Sequence, residues 1–153
     1  YFVDIQSSGE QNYHIQLIQN GIRLSQNQYY EVSFDAYATQ NRSLELNVEQ
    51  DDSPWQSYFN SPIFFNIDNT KKNYQHRFQM EFPTDTNSRI TFNMGLDQPA
   101  VTIDNVKIIA IEAPTILIKA PVKSYNQEKL FVNPKGIIST TNDRPSLQQL
   151  LSR

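Results

Sequence analysis

The chain has 153 residues, 38% hydrophobic and 19% charged, with a formal net charge of −3. That length suits one domain with room for a core, and the acidic balance argues against a general binder of phosphate backbones. There is no cysteine, which excludes disulfides, zinc ribbons, iron–sulfur clusters and cysteine nucleophiles.

Along the chain the dominant period is two. Ile15 and Leu17 alternate with His14, Gln16 and Ile18, and Asn20-Gly21 follows as a turn signal. Val32, Phe34 and Ala36 alternate with Glu31, Ser33, Asp35 and Tyr37. Leu44, Leu46 and Val48 alternate with Glu45, Asn47 and Glu49. Asp51 to Pro54 reads as a turn, as does Asp68 to Thr70. Phe78, Met80 and Phe82 alternate with Arg77, Gln79 and Glu81; after a turn at Pro83 to Ser88, Ile90, Phe92 and Met94 alternate with Arg89, Thr91 and Asn93. Gly95 to Pro99 turns again. Val101, Ile103 and Asn105 then alternate with Thr102, Asp104 and Val106, and the segment continues to Ile111. Such alternation predicts strands with one buried and one wet face. Strands in series without intervening helices predict an all-β fold, an antiparallel sandwich or barrel.

The character changes after Glu112, which divides the chain into residues 1–112 and an extension, 113–153. Thr115 to Ala120 is predicted as one more strand and Lys129 to Val132 as a short one. Pro134 to Asp143 reads as loop. Leu147, Leu150 and Leu151 at helical spacing, with Pro145 early and Asp143 as a cap, predict a short C-terminal helix. No apolar run reaches the roughly 20 residues of a membrane span. No charged-then-apolar leader opens the sequence, so any secretion signal is expected to have been removed or to lie outside it.

An ordered series of segments is more specific than composition. It runs Tyr13 to Gln19, Gly21 to Leu24, Tyr30 to Ala38, Trp55 to Tyr58, Phe78 to Met80, Arg89 to Gly95 and Ile103 to Val106. In that order and spacing the chain resembles the carbohydrate-binding modules of families 4 and 9, over roughly residues 1–111. The resemblance implies a β-sandwich jelly roll, secreted and joined to a glycoside hydrolase, with a single glycan chain held in a cleft across one sheet. It also implies a structural calcium. Asp104 matches the last-strand part of that site, while its N-terminal ligands have no counterpart here. No motif calls for any other cofactor.

A sugar chain offers C–H faces to aromatic rings and hydroxyls to amides, carboxylates and guanidinium groups. Trp55 and Tyr58, in a polar segment just past a turn, are candidates for the aromatic platform; a lone Trp is equally at home in a core. The polar candidates are Gln16, at the family's glutamine position, Asn47 and Arg89, the last of which also suits a structural ion pair. Tyr37, at the end of its strand, is a candidate cleft wall or edge cover. Tyr13 falls where the family often has a tryptophan and is expected to pack. Three outward polar rows stand out: Glu45, Asn47 and Glu49; Arg77, Gln79 and Glu81; and Arg89, Thr91 and Asn93. A sandwich has two outward faces, and which rows share one is open.

Catalysis has little support. Glycoside hydrolysis uses two carboxyls about 5–10 Å apart, whereas Glu45 and Glu49 lie about 13 Å apart by strand rise; cross-strand pairs such as Glu45 with Asp35 or Glu81 stay open. His14 and His76 are far apart in sequence, with no zinc-ligand spacing. The expectation is a non-catalytic, extracellular module that binds a β-glucan or xylan and targets an attached hydrolase, without affinity for nucleic acid or membrane. The alternative is a β-sandwich that binds no glycan and serves as a spacer packed against a catalytic domain.

Overall fold

The computed structural model describes residues 1–114 and the residue pairs 131–132 and 138–139. The chain divides into two units, Tyr1–Pro114 and Thr115–Arg153, each described by itself. The first unit holds eight strands: β1 (Phe2–Val3), β2 (Gln16–Leu24), β3 (Tyr29–Ala38), β4 (Arg42–Gln50), β5 (Ile63–Ile67), β6 (Lys72–Gln79), β7 (Asp85–Asn93) and β8 (Val101–Ile111). They form two antiparallel four-stranded sheets, ordered β1-β8-β3-β6 and β2-β7-β4-β5. In the second unit, β9 (Phe131–Val132) pairs antiparallel with β10 (Ile138–Ser139). The latter falls in the stretch that reads as loop. The strand expected at Thr115 to Ala120 and the helix expected at Arg144 to Arg153 lie outside the described residues.

The sheets pack as a sandwich because their inner rows are apolar. Val32, Phe34 and Ala36 of β3 face Leu44, Leu46 and Val48 of β4 and Ile90 and Phe92 of β7, all essentially inaccessible to solvent. Phe34 is the central contact. Its ring centroid lies 4.9 Å from Phe92 and 5.2 Å from Phe65, edge to face, and 5.5 Å from Tyr74, stacked. Removing such a ring costs about 3–5 kcal/mol.

Two strands carry more residues than a regular ladder holds, and each changes phase part-way. In β2 the register slips between Gln19 and Ile22. Leu17 packs on the core before the slip, Ile22 and Leu24 after it. Gly21 sits at φ 75°, and a Cβ there would meet nothing within 4 Å, so glycine answers to the backbone angle rather than to crowding. Asn20-Gly21 is thus a bulge within one strand, not the turn its residues suggest. β8 repeats the device against β3, with a slip between Ser33 and Asp35. Val101 and Ile103 face inward, Asn105 adopts φ 50° and is exposed, and Val106 and Ile108 then face the core.

Two elements run against the sequence reading. The sequence of β5 shows no polar–apolar alternation, because Phe64 faces solvent between Ile63 and Phe65 while the strand's burial alternates regularly. Strand β7 begins at Asp85, inside the expected turn from Pro83 to Ser88.

Candidate functional site

The outer face of the β2-β7-β4-β5 sheet gathers two of the three polar rows. Glu45, Asn47 and Glu49 of β4 stand opposite Asn93, Thr91 and Arg89 of β7. Gln16 of β2 stands opposite Asn93 on its other side. Directly opposed residues share a face. The row Arg77, Gln79 and Glu81 belongs elsewhere: Arg77 and Gln79 lie on β6 of the other sheet and Glu81 just beyond it.

All of these β2, β4 and β7 side chains but the buried Thr91 line a groove of about 640 Å³, bounded by Asn12, Tyr13, Gln16, Glu45, Asn47, Glu49, Trp55, Arg89 and Asn93. Its floor is held by side-chain hydrogen bonds. Gln16 Nε2 donates to Asn93 Oδ1 at 2.8 Å. Ser57 Oγ donates to Asn47 Oδ1 at 2.6 Å, and Asn47 Nδ2 donates to Glu49 Oε2 at 2.5 Å. Glu49 Oε1 accepts from Arg89 Nε at 2.8 Å and from the hydroxyl of fully buried Thr91 at 3.0 Å. Arg89 also lies 3.7 Å from Asp51. Glu49 is therefore the hub that holds Asn47 and Arg89 in place. A carboxylate with this many donors is committed to structure. Near the other end, Asn12 Nδ2 donates to Glu45 Oε2.

Two aromatic rings stand on opposite sides of the floor, one before the start of β2 and one after the end of β4. Trp55, 54% exposed, is carried by the loop after β4. Its backbone N–H donates to Asp52 O at 2.6 Å and its φ is 53°. A bulky side chain in the left-handed region is strained, and such strain concentrates at functional sites. Tyr13, 56% exposed, is carried by the 3₁₀ turn Asn12–His14 just before β2. Gly95 lets that turn approach: its N–H donates to Asn12 O at 2.7 Å, and a Cβ would lie only 2.0 Å from Gln11 O.

The structure thus brings Trp55, Gln16, Asn47 and Arg89 into one groove and adds Tyr13, which the sequence reads as a packing residue. Tyr58 is elsewhere. It is 7% exposed, against Phe82 in the core, and its hydroxyl donates to Asp85 Oδ2. Burial and this carboxylate push its pKa up to about 12. Burial would raise the Asp85 carboxyl, but the hydrogen bonds from Tyr58, Asn87 and Ser88 outweigh it and hold it below its ordinary value. Tyr37 lies on β3 of the opposite sheet, across from Thr102, away from the groove.

Asp104 does not fit a calcium ligand as it stands. The Lys71 ammonium lies 3.2 Å from Asp104 and 3.4 Å from Asp35, occupying the position between them that a cation would need. Hydrogen bonds from the Asn105 N–H and from Lys71 hold the Asp104 carboxyl below its ordinary range. Among the described residues no three acidic or histidine side chains come together as a metal site.

A jelly-roll-like sandwich with a polar groove between two exposed rings has the make-up of a binding module. The chain belongs to the family described as carbohydrate binding domain, CBM_4_9, whose model matches residues 1–102. It is a non-catalytic, carbohydrate-binding module. Similar solved folds include a CBM4 structure, with 23% identity, a TM-score of 0.67, and 72% of this chain and 70% of that one covered. An apo structure of BiXyn10A CBM1 has 16% identity, a TM-score of 0.57 and 70% of each chain covered. The N-terminal cellulose-binding domain of Cellulomonas fimi β-1,4-glucanase C has 15% identity, a TM-score of 0.57, and 74% and 79% covered. At these identities the likeness is one of fold. No curated protein matches the chain.

Proposed function

We propose that the groove between Tyr13 and Trp55 binds a single polysaccharide chain, a β-glucan or xylan, and that the module targets an attached glycoside hydrolase to it outside the cell. The observation that carries this reading is the pairing of two half-exposed aromatic rings with a floor of amides and carboxylates. The rings supply stacking surfaces for sugar C–H faces. Gln16, Asn47, Asn93 and Glu45 supply donors and acceptors for hydroxyls. The network under them is already formed, so little side-chain ordering remains to oppose binding. Tethering to a hydrolase would raise the enzyme's effective concentration at its substrate without any new catalytic group.

Affinity gel electrophoresis against soluble β-1,4-glucan, β-1,3-glucan, xylan and mannan tests the reading. Retardation by a β-glucan or xylan, abolished in a folded Trp55→Ala variant, is expected. Uniform mobility in every gel would overturn it and favour a spacer that binds no glycan.

A further inference from the structure

Phe64 stands apart from the core aromatics. It lies on edge strand β5 and is 57% exposed, while its neighbour Phe65 packs against Phe34. A bare aromatic ring on an edge strand is unfavourable in water and invites association, so its place on the fold matters. Its register partner is Glu45, which lines the groove. Opposed residues share a face, so Phe64 belongs to the face that carries the groove.

The pairing extends into one row across the whole sheet. Gln16 is opposite Asn93, Asn93 opposite Glu45, and Glu45 opposite Phe64. By strand spacing this row spans about 14 Å, longer than one sugar ring. Its first three members line the groove, and Phe64 follows immediately beyond, at the β5 margin. Tyr13, before the start of β2, and Trp55, after the end of β4, flank the row on opposite sides. Because the rings flank the row, a chain that runs along it between them crosses the strands, and its next residue passes over β5.

We infer that Phe64 is an extension subsite, stacking a sugar ring of the same glycan chain where it leaves the groove over β5. The inference rests on the groove being the glycan site. Phe64 sets the length of chain the module recognises, because a short oligosaccharide fills the groove without reaching β5 and a longer one gains the additional ring.

Isothermal titration of the full chain with β-1,4-gluco-, β-1,3-gluco- and xylo-oligosaccharides, from trimer to hexamer, tests this. The variants are Phe64→Ala, Phe64→Trp and Trp55→Ala, each checked for an unchanged melting temperature. Phe64→Ala should weaken hexamer binding about two- to tenfold, the range of one aromatic contact, and leave the trimer unaffected. Phe64→Trp should retain or improve hexamer binding. Equal affinities for parent and Phe64→Ala at every length, with binding lost in Trp55→Ala, would overturn the extension subsite and leave the groove intact. A loss of the same size at every length would also overturn it, placing Phe64 inside the main site. Absence of binding by the parent to all these oligosaccharides would overturn the groove reading and the inference together.

Discussion

Arg89 and Glu49 face each other across the β4–β7 ladder with Arg89 Nη2 2.7 Å from Glu49 Oε1, both side chains largely shielded from water. The pair is the pivot of the groove floor, since Glu49 also holds Asn47 and Thr91. Arg89→Ala strands a shielded carboxylate, so it should cost about 3 kcal/mol of stability. Arg89→Lys keeps the charge but not the forked geometry and should recover only part of it. Urea unfolding of the three proteins checks the order. A stability unchanged by Arg89→Ala would mean that Arg89 is available to ligand and not committed to the fold.

Trp55 makes the opposite prediction. Its ring is half exposed and its backbone is held at positive φ. Trp55→Ala should therefore shift stability by no more than about 0.5 kcal/mol, with affinity for the bound polysaccharide reduced at least about tenfold. Trp55→Gly relieves the backbone angle and should melt higher than Trp55→Ala while binding no better. A marked loss of stability in both variants would identify Trp55 as a packing residue.

Gly95 links the backbone to the second ring. A Cβ at this position would collide with Gln11 O, so Gly95→Ala must displace the turn that carries Tyr13. We expect it to reduce affinity as much as Tyr13→Ala does and, unlike Tyr13→Ala, to lower the melting temperature as well. Retained affinity in Gly95→Ala would show that Tyr13 need not be held where it stands.

Tyr58 should report on the fold and not on binding. Tyr58→Phe removes the hydrogen bond to Asp85 and should cost about 1 kcal/mol with polysaccharide affinity unchanged. The raised pKa also sets a pH window. Below the ordinary tyrosine value of 10 the hydroxyl is protonated in both states and its contribution is complete. Between there and about 12 the unfolded chain loses its proton first, so stability falls as pH rises. Melting curves across this interval should converge for parent and Tyr58→Phe; parallel curves would place the hydroxyl outside the bond.

The sandwich was legible in the sequence where inner rows are apolar and outer rows polar, as in β3, β4 and β7. It was less so where that contrast fails. Phe64 puts an apolar ring on the wet face and hides β5, and the phase changes at Gly21 and Asn105 look like a turn and a continued alternation. Site residues divide in the same way. The residue types at Gln16, Asn47 and Arg89 marked them as polar partners, but the joining of the β4 and β7 rows depends on strand order, which the sequence leaves open. Trp55 and Tyr58 are three residues apart in one polar loop, and contacts distant in sequence, the bond to Asp85 and the packing on Phe82, separate the buried ring from the exposed one. Tyr13 owes its exposure to a contact between its turn and Gly95, over 80 positions away, a relationship no local pattern carries.

The most direct test uses the chain's single tryptophan as the probe. Titrating soluble β-glucan or xylan while recording tryptophan emission reads Trp55 alone, with the Gln16→Ala variant beside the parent. The account predicts a saturable spectral shift for the polysaccharide that retards the protein in gels, and a weaker affinity, by about 1 kcal/mol, in a fully folded Gln16→Ala. Polysaccharide binding that leaves the emission of Trp55 unchanged would contradict it and place the glycan on another face of the sandwich.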